Sequence, residues 1–330
     1  MPDALQDRLR QLPAVSEFLA AEFGVALCGE FGDGAVKLEL RQSLDELRAE
    51  LRAGTREDVP AADRLAADLR SRLLHLARPE GRRAVNATGI LLHTGLGRAP
   101  LCREAVAALS GMDHFSVLQA SLDTGSRSLR EDKVEALLCS LVGCEAATVV
   151  NNNAAATMLV LHSLCAGKEV VLSRGQLIEI GGSYRIPDVL RMSGATLREI
   201  GCTNRTHLKD YEAAIGENTV ALLHVHTSNY RVRGFASTPD IAELCALGKK
   251  RNLPVIDDLV SGALVSLALF GLADEPLVRD SLKAGAAVAC FSADKLICGP
   301  QAGVVCGSQA LIDKIRKSPY ARMFRVCKLT

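Results

Sequence analysis

The 330-residue chain contains no run of 18 apolar residues, so its reading includes no transmembrane helix. Its first residues, Met1 to Arg8, lack a basic start followed by an apolar core, and no secretory signal is expected. Charge of one sign is also lacking. The 39 Lys and Arg against 38 Asp and Glu leave a net +1, so any nucleic-acid contact has to rest on a local patch. The 11 cysteines include no C-x-x-C pair. Neither Cys139 with Cys144 nor Cys298 with Cys306 has a histidine at zinc-finger spacing, so no metal site is expected. Cys165, Cys245 and Cys290 sit in apolar runs, where free cysteine behaves as a small hydrophobe. Scattered cysteines in odd number suit a reducing cytoplasmic location. No internal repeat or low-complexity tract is visible.

What is present has the bulk of a large α/β domain plus a smaller one, with 48% hydrophobic and 23% charged residues. Residues 1–80 read as a separate helical unit. Ser43-Leu-Asp-Glu46 matches a capping box, with Leu44, Leu47 and Leu51 at helical spacing behind it. Residues 54–60 form a polar break, and Leu65, Leu69, Leu73 and Leu76 make a second stripe. Residues 1–82 carry 12 Lys and Arg against 15 Asp and Glu, a composition that points to a structural or oligomer-contact role.

From about residue 83 apolar runs alternate with helical stretches, the rhythm of a mostly parallel sheet, and residues 81–330 are read as one large domain. Strands are expected at 146–150, 169–172, 195–200, 219–225, 254–256 and 286–289. Helices are expected after Asn151–Asn153 and over 241–251. In an open α/β sheet ligands gather beyond the carboxyl ends of the strands. Three polar clusters fall there: Asn151–Asn153, His226–Asn229 and Asp257–Ser261. Lys295 follows another strand.

Each cluster has an ordinary reading and a chemical one. The Asn-rich turn opens a helix, where free N–H groups beside the small Ala154 let a phosphate approach; a simple N-cap needs only one asparagine. Asp258 could hold a protonated pyridine nitrogen or belong to a solvated turn. Asn229 could bond a phenolic ring oxygen or close an Asx-turn. Lys295 is a turn lysine or, if buried, an amine of lowered pKa able to form a Schiff base. The order phosphate turn, Asn, Asp, Lys resembles that of fold-type I enzymes dependent on pyridoxal phosphate, the aspartate aminotransferase-like fold.

Longer segments carry a more specific likeness. They are Val85-Asn-Ala-Thr-Gly-Ile-Leu-Leu-His-Thr-Gly-Leu-Gly-Arg-Ala-Pro-Leu101, Val149-Val-Asn-Asn-Asn-Ala-Ala-Ala156, Glu179-Ile-Gly-Gly-Ser-Tyr-Arg-Ile-Pro187, Gly201-Cys-Thr-Asn-Arg-Thr206, Val225-His-Thr-Ser-Asn-Tyr-Arg231 and Asp294-Lys-Leu-Ile-Cys-Gly-Pro-Gln-Ala-Gly303. Together they resemble bacterial selenocysteine synthase, the L-seryl-tRNA(Sec) selenium transferase, over nearly the whole chain.

The resemblance implies pyridoxal 5′-phosphate on Lys295 and conversion of L-seryl-tRNA(Sec) to L-selenocysteinyl-tRNA(Sec) with selenophosphate, through an aminoacrylyl-tRNA intermediate. Asp258, Asn229, Asn152, Asn153, Ala154 and Ser292 are then the expected cofactor contacts, with Arg174 over the ring face. Arg98, Arg322 and Arg325 are the expected catalytic arginines, and Arg127 or Arg130 meets the substrate anion. The resemblance also implies a tRNA-binding amino-terminal unit, a homo-oligomer and no membrane contact. A family chain runs on past this point into a small domain, so the sequence is expected to be truncated at its carboxyl end. Glycine is usual where Val260, Ala293 and Cys298 stand, and asparagine where Gly95 stands. A positive φ at the first three would strain them. The alternatives are a related β-eliminating lyase on a small substrate and a truncated tRNA-binding or assembly subunit without turnover.

Overall fold

The computed structural model describes residues 2–78, 81–272 and 275–330, and it divides into two compact units, Met1–Val85 and Asn86–Thr330. In the first, apolar residues at helical spacing form α1 (Pro2–Arg10), α2 (Val15–Ala20), α3 (Glu22–Phe31), α4 (Asp33–Ala53) and α5 (Ala62–Ala77). The capping box expected at Ser43 is not a helix start. Val36 and Leu40 extend the Leu44, Leu47, Leu51 stripe toward the amino end, so one buried face carries α4 straight through Ser43. Gly54, in the left-handed region at φ +70°, ends that helix. On α5, Leu65, Leu69 and Leu73 are buried, whereas Leu76 at the helix end is 67% exposed and leaves the expected stripe.

The second unit begins with a long stretch of little regular structure that holds a 3-10 turn (Thr94–Leu96) and α6 (Arg103–Ser110) before α7 (Asp132–Val142). Then come β1 (Ala146–Val150), α8 (Asn153–Cys165), β2 (Glu169–Ser173), the hairpin β3 (Glu179–Ile180) and β4 (Tyr184–Arg185), α9 (Ile186–Met192), β5 (Thr196–Ile200), α10 (Leu208–Ala214) and β6 (Thr219–Val225). They are followed by α11 (Ile241–Arg251), β7 (Val255–Val260), α12 (Val278–Ala284), β8 (Val288–Ser292), β9 (Gly303–Gly307), α13 (Gln309–Arg316) and α14 (Pro319–Met323).

Seven strands form one sheet in the order β1-β9-β8-β7-β6-β2-β5. Pairs from β8 through β5 run parallel, and β9 is antiparallel to both β1 and β8. The central strands are buried along nearly their whole length because helices cover both faces. Helix α8 buries Ala156, Leu159, Val160, Leu161 and Cys165 in the core beside the sheet. Strand β7 runs past the expected 254–256 to Val260, so Asp257 and Asp258 lie inside it and point to opposite faces. Among the described residues no single helix is long and apolar enough to cross a membrane.

Candidate active site

The β1–α8 turn, the end of β7 and the β8–β9 loop meet around a cavity of about 190 Å³. Backbone contact is tight where they join. A Cβ on Gly303 would lie 2.1 Å from the Asn152 carbonyl oxygen, so only glycine lets β9 pass beneath the α8 turn. Asn152 caps α8, its side chain accepting from the Ala155 N–H at 2.8 Å. The remaining first-turn N–H groups and the helix dipole favour an anion there.

Asp258 forms the base of the cavity and is 2% exposed. Its Oδ1 accepts from Asn153 Nδ2 at 2.8 Å and from the Val260 N–H at 3.2 Å, and its Oδ2 accepts from Thr157 Oγ1 at 2.8 Å. Burial nevertheless pushes the carboxyl up from its ordinary value, against those donors. A cationic partner in the cavity would favour the ionised form. Asn153 Oδ1 and the Tyr184 hydroxyl are buried beside it without hydrogen-bond partners.

Lys295 enters the same cavity. Burial first, and then the Arg98 guanidinium, lower its pKa, while Asp258, Asp294 and Glu275 oppose the shift. Arg98, itself at φ +63° after Gly97, is held by an ion pair from Nη1 to Asp294 Oδ2. Ile178, Ile180, Ile186 and Val260 complete the wall with Ser292 and Gln301. A base carboxylate, a lysine of lowered pKa and an anion-binding turn fit pyridoxal phosphate as ring-nitrogen partner, attachment point and phosphate cradle.

Of the residues singled out from sequence, Lys295, Asp258, Asn152, Asn153, Ala154, Ser292 and Arg98 line this cavity. Two expected ring contacts, Asn229 and Arg174, do not line this cavity. Asn229 Nδ2 donates instead to the Glu179 carbonyl at 3.0 Å, bracing the hairpin. Arg174 pairs with Glu199 and donates to the Gly201 carbonyl. Arg130, Arg322 and Arg325 gather with Arg316 around a separate cavity of about 200 Å³ that also takes in Glu131 and Thr148. Arg130 Nη1 donates to the Val326 carbonyl at 2.7 Å, and its Nε is buried without a partner. Arg127 is exposed and lines neither cavity. Sequence reasoning passed over Thr157, Tyr184, Gln301 and Arg316. Thr157 stands one helical turn after Asn153, a spacing that could have revealed it.

The glycine substitutions leave a mark. Val260 and Cys298 adopt φ of +60° and +59°, the strained geometry expected of them, whereas Ala293 does not.

Residues 84–330 match the family described as L-seryl-tRNA selenium transferase, and residues 9–48 match selenocysteine synthase N terminal. The L-seryl-tRNA(Sec) selenium transferase of Nitratidesulfovibrio vulgaris is 53% identical over 293 residues, covering 87% of this chain and 62% of that protein. Those of Desulfomicrobium baculatum and Carboxydothermus hydrogenoformans are 48% and 44% identical over 97% and 99% of this chain. The chain thus spans 62–70% of these relatives' own length. Among solved structures, D-glucosaminate-6-phosphate ammonia-lyase superposes with a TM-score of 0.56 at 20% identity, over 72% of this chain and 62% of that one, a likeness of fold. With a lysine, a base carboxylate and a phosphate turn assembled on that fold, and with matches at both ends, the chain belongs to the L-seryl-tRNA selenium transferase family.

Proposed function

We propose that this chain is a pyridoxal-phosphate-dependent transferase that converts L-seryl-tRNA(Sec) to L-selenocysteinyl-tRNA(Sec) with selenophosphate. The observation that carries the reading is the placement of Lys295, its pKa lowered by burial, in one cavity with the buried Asp258 and the α8 amino terminus. Bound pyridoxal phosphate supplies the electron sink that allows the α-proton and then the β-hydroxyl of the seryl group to leave. Asn152, Asn153 and Ala154 hold the phosphate through α8 backbone N–H groups. Asp258 keeps the ring nitrogen protonated, and Asn153 and Thr157 fix its carboxylate in place.

Lys295 has two tasks. Its amine would attach the cofactor, and its Nζ would serve as the general base that takes the seryl α-proton. Lowering of its pKa by burial and by Arg98 leaves more of the amine neutral and able to accept that proton. Ile178, Ile180 and Val260 keep water from the reacting carbons. Selenophosphate is a small multivalent anion, and planar guanidinium forks bind such oxygens in pairs. Arg98 stands in the cofactor cavity, and Arg130, Arg322 and Arg325 form the second cationic pocket.

The helical unit of residues 1–80 is the tRNA-binding part of this reading, and a second copy of the chain is its partner. Phe115 at 103% exposure and Leu122 at 83%, both between α6 and α7, support a homo-oligomer, since apolar groups there gain by being covered. The protein works in the cytoplasm, where charged tRNA is present.

Purified protein given pyridoxal phosphate is expected to gain absorbance near the visible edge and to form selenocysteinyl-tRNA from seryl-tRNA(Sec) and selenophosphate. Cofactor uptake without selenium transfer at saturating seryl-tRNA(Sec) overturns the assigned reaction.

A further inference from the structure

All eleven cysteines are free thiols, and among the described residues two of them share a hydrogen bond. Cys144 Sγ donates to Cys139 Sγ at 3.4 Å. Neither residue lines the cofactor cavity or the arginine cavity, and the proposed reaction uses neither.

The end of a helix brings them together. Cys139 lies on the last turn of α7, and Gly143 follows the helix in the left-handed region at φ +75°. Its N–H donates to the Cys139 carbonyl at 2.9 Å, so the chain folds back over that last turn. Cys144 is the next residue. Helix ends of this kind commonly make an apolar contact between the residue past the glycine and one on the final turn. Here both partners are cysteine. Leu138 and Val142 bury one side of the turn in the core, and Ala146, two residues on, opens β1. The pair is therefore anchored from both sides.

Such a contact can become a bond. From 3.4 Å the sulfurs have about 1.4 Å to close to a disulfide length of about 2.05 Å. Both residues are half-buried, within reach of a small reagent. The other core thiols are placed differently. Cys306 on β9 is fully buried and donates to the Ala289 carbonyl at 3.7 Å, while Cys165, Cys245 and Cys290 are buried in other clusters.

We propose that Cys139 and Cys144 form a reversible dithiol–disulfide site, oxidised by hydroperoxides and reduced by dithiols. One thiolate attacks a peroxide oxygen. The O–O bond breaks, an alcohol or water leaves, and the sulfur becomes a sulfenic acid. The other thiol loses its proton and attacks that sulfur, so the S–S bond forms and the sulfenic oxygen departs as water. Together the two sulfurs give up two electrons, and the peroxide takes them. A dithiol returns both electrons by exchange and becomes a disulfide itself. The site stands apart from the proposed reaction and does not depend on it.

The test treats the full chain with hydrogen peroxide, blocks the remaining thiols with iodoacetamide, and maps them by proteolysis and tandem mass spectrometry. Cys139 and Cys144 are expected to lose alkylation together, on a peptide that carries one internal cross-link and lacks two hydrogens. Dithiothreitol should restore both thiols. In glutathione buffers of graded potential the cross-linked fraction should follow the curve of a two-electron couple. Cys139→Ser and Cys144→Ser should each abolish the cross-link. Cysteines 139 and 144 that stay alkylated at a dose that oxidises the exposed Cys102 overturn the inference, and so does a bond from either one to Cys306. Neither result bears on cofactor uptake or selenium transfer, so the proposed function stands or falls separately.

Discussion

At the residue scale the account turns on Lys295 and the charges around it. Burial, and then Arg98, lower the pKa of the amine from its ordinary 10.5, so the neutral form is reached at lower pH than for a free lysine. The rate at which apo protein takes up pyridoxal phosphate should therefore rise with pH and level off below the ordinary lysine value. Arg98→Gln removes a repelling cation and leaves Asp258, Asp294 and Glu275, which favour the ammonium. Its uptake profile should move to higher pH, and an unmoved profile would contradict the assigned role of Arg98. Asp258→Asn removes the charge that pairs with the ring nitrogen. Breaking such a buried pair costs about 3–5 kcal/mol, so equilibrium titration should show pyridoxal phosphate affinity falling by at least a hundredfold. Most of this site was legible in the sequence, because Asn152, Asn153, Asp258 and Lys295 all follow strands that read as apolar runs. Asn229 and Arg174 also follow strand ends, and no pattern in the chain reveals that their side chains turn onto the Glu179 carbonyl and Glu199.

At the element scale, tight turns and shared faces decide the outcome. Cys298 is exposed and sits at φ +59° between Lys295 and Gly299. A left-handed conformation costs a side-chain-bearing residue about 1–2 kcal/mol, and glycine gives back roughly half of that in chain entropy. Cys298→Gly should therefore stabilise the protein by up to about 1 kcal/mol, read as a raised melting temperature with cofactor uptake retained. Val260 shares the strain, but its buried side chain offsets what glycine would recover there. Gly303→Ala should act in the opposite direction. Overpacking against the Asn152 carbonyl costs about 1–3 kcal/mol, and because that carbonyl belongs to the phosphate turn, cofactor binding should weaken together with thermal stability. Strands β1, β2 and β6 and helix α11 fall where hydrophobic periodicity put them. The capping box at Ser43 misled because a local pattern of four residues competes poorly with a stripe that buries one face of α4 from Val36 to Leu51.

At the scale of the whole molecule, the chain divides after Val85, and its sequence changes rhythm near there, from leucine stripes to alternating strands and helices. The stretch from Asn86 to Glu131 was the least legible. It has little regular structure and exposes Phe115 and Leu122, so its conformation answers to contacts that periodicity cannot encode. If a second copy covers it, light scattering should give a mass that is a multiple of 35.1 kDa, and Phe115→Ser with Leu122→Ser should shift the population toward the single chain. A mass of one chain for the wild type would remove the oligomer from the account. The central claim concerns one bond. Borohydride reduction of the pyridoxal-phosphate-loaded protein, followed by proteolysis and peptide mass spectrometry, should place a single reduced cofactor adduct on Lys295. An adduct on another lysine, or none, would contradict the site.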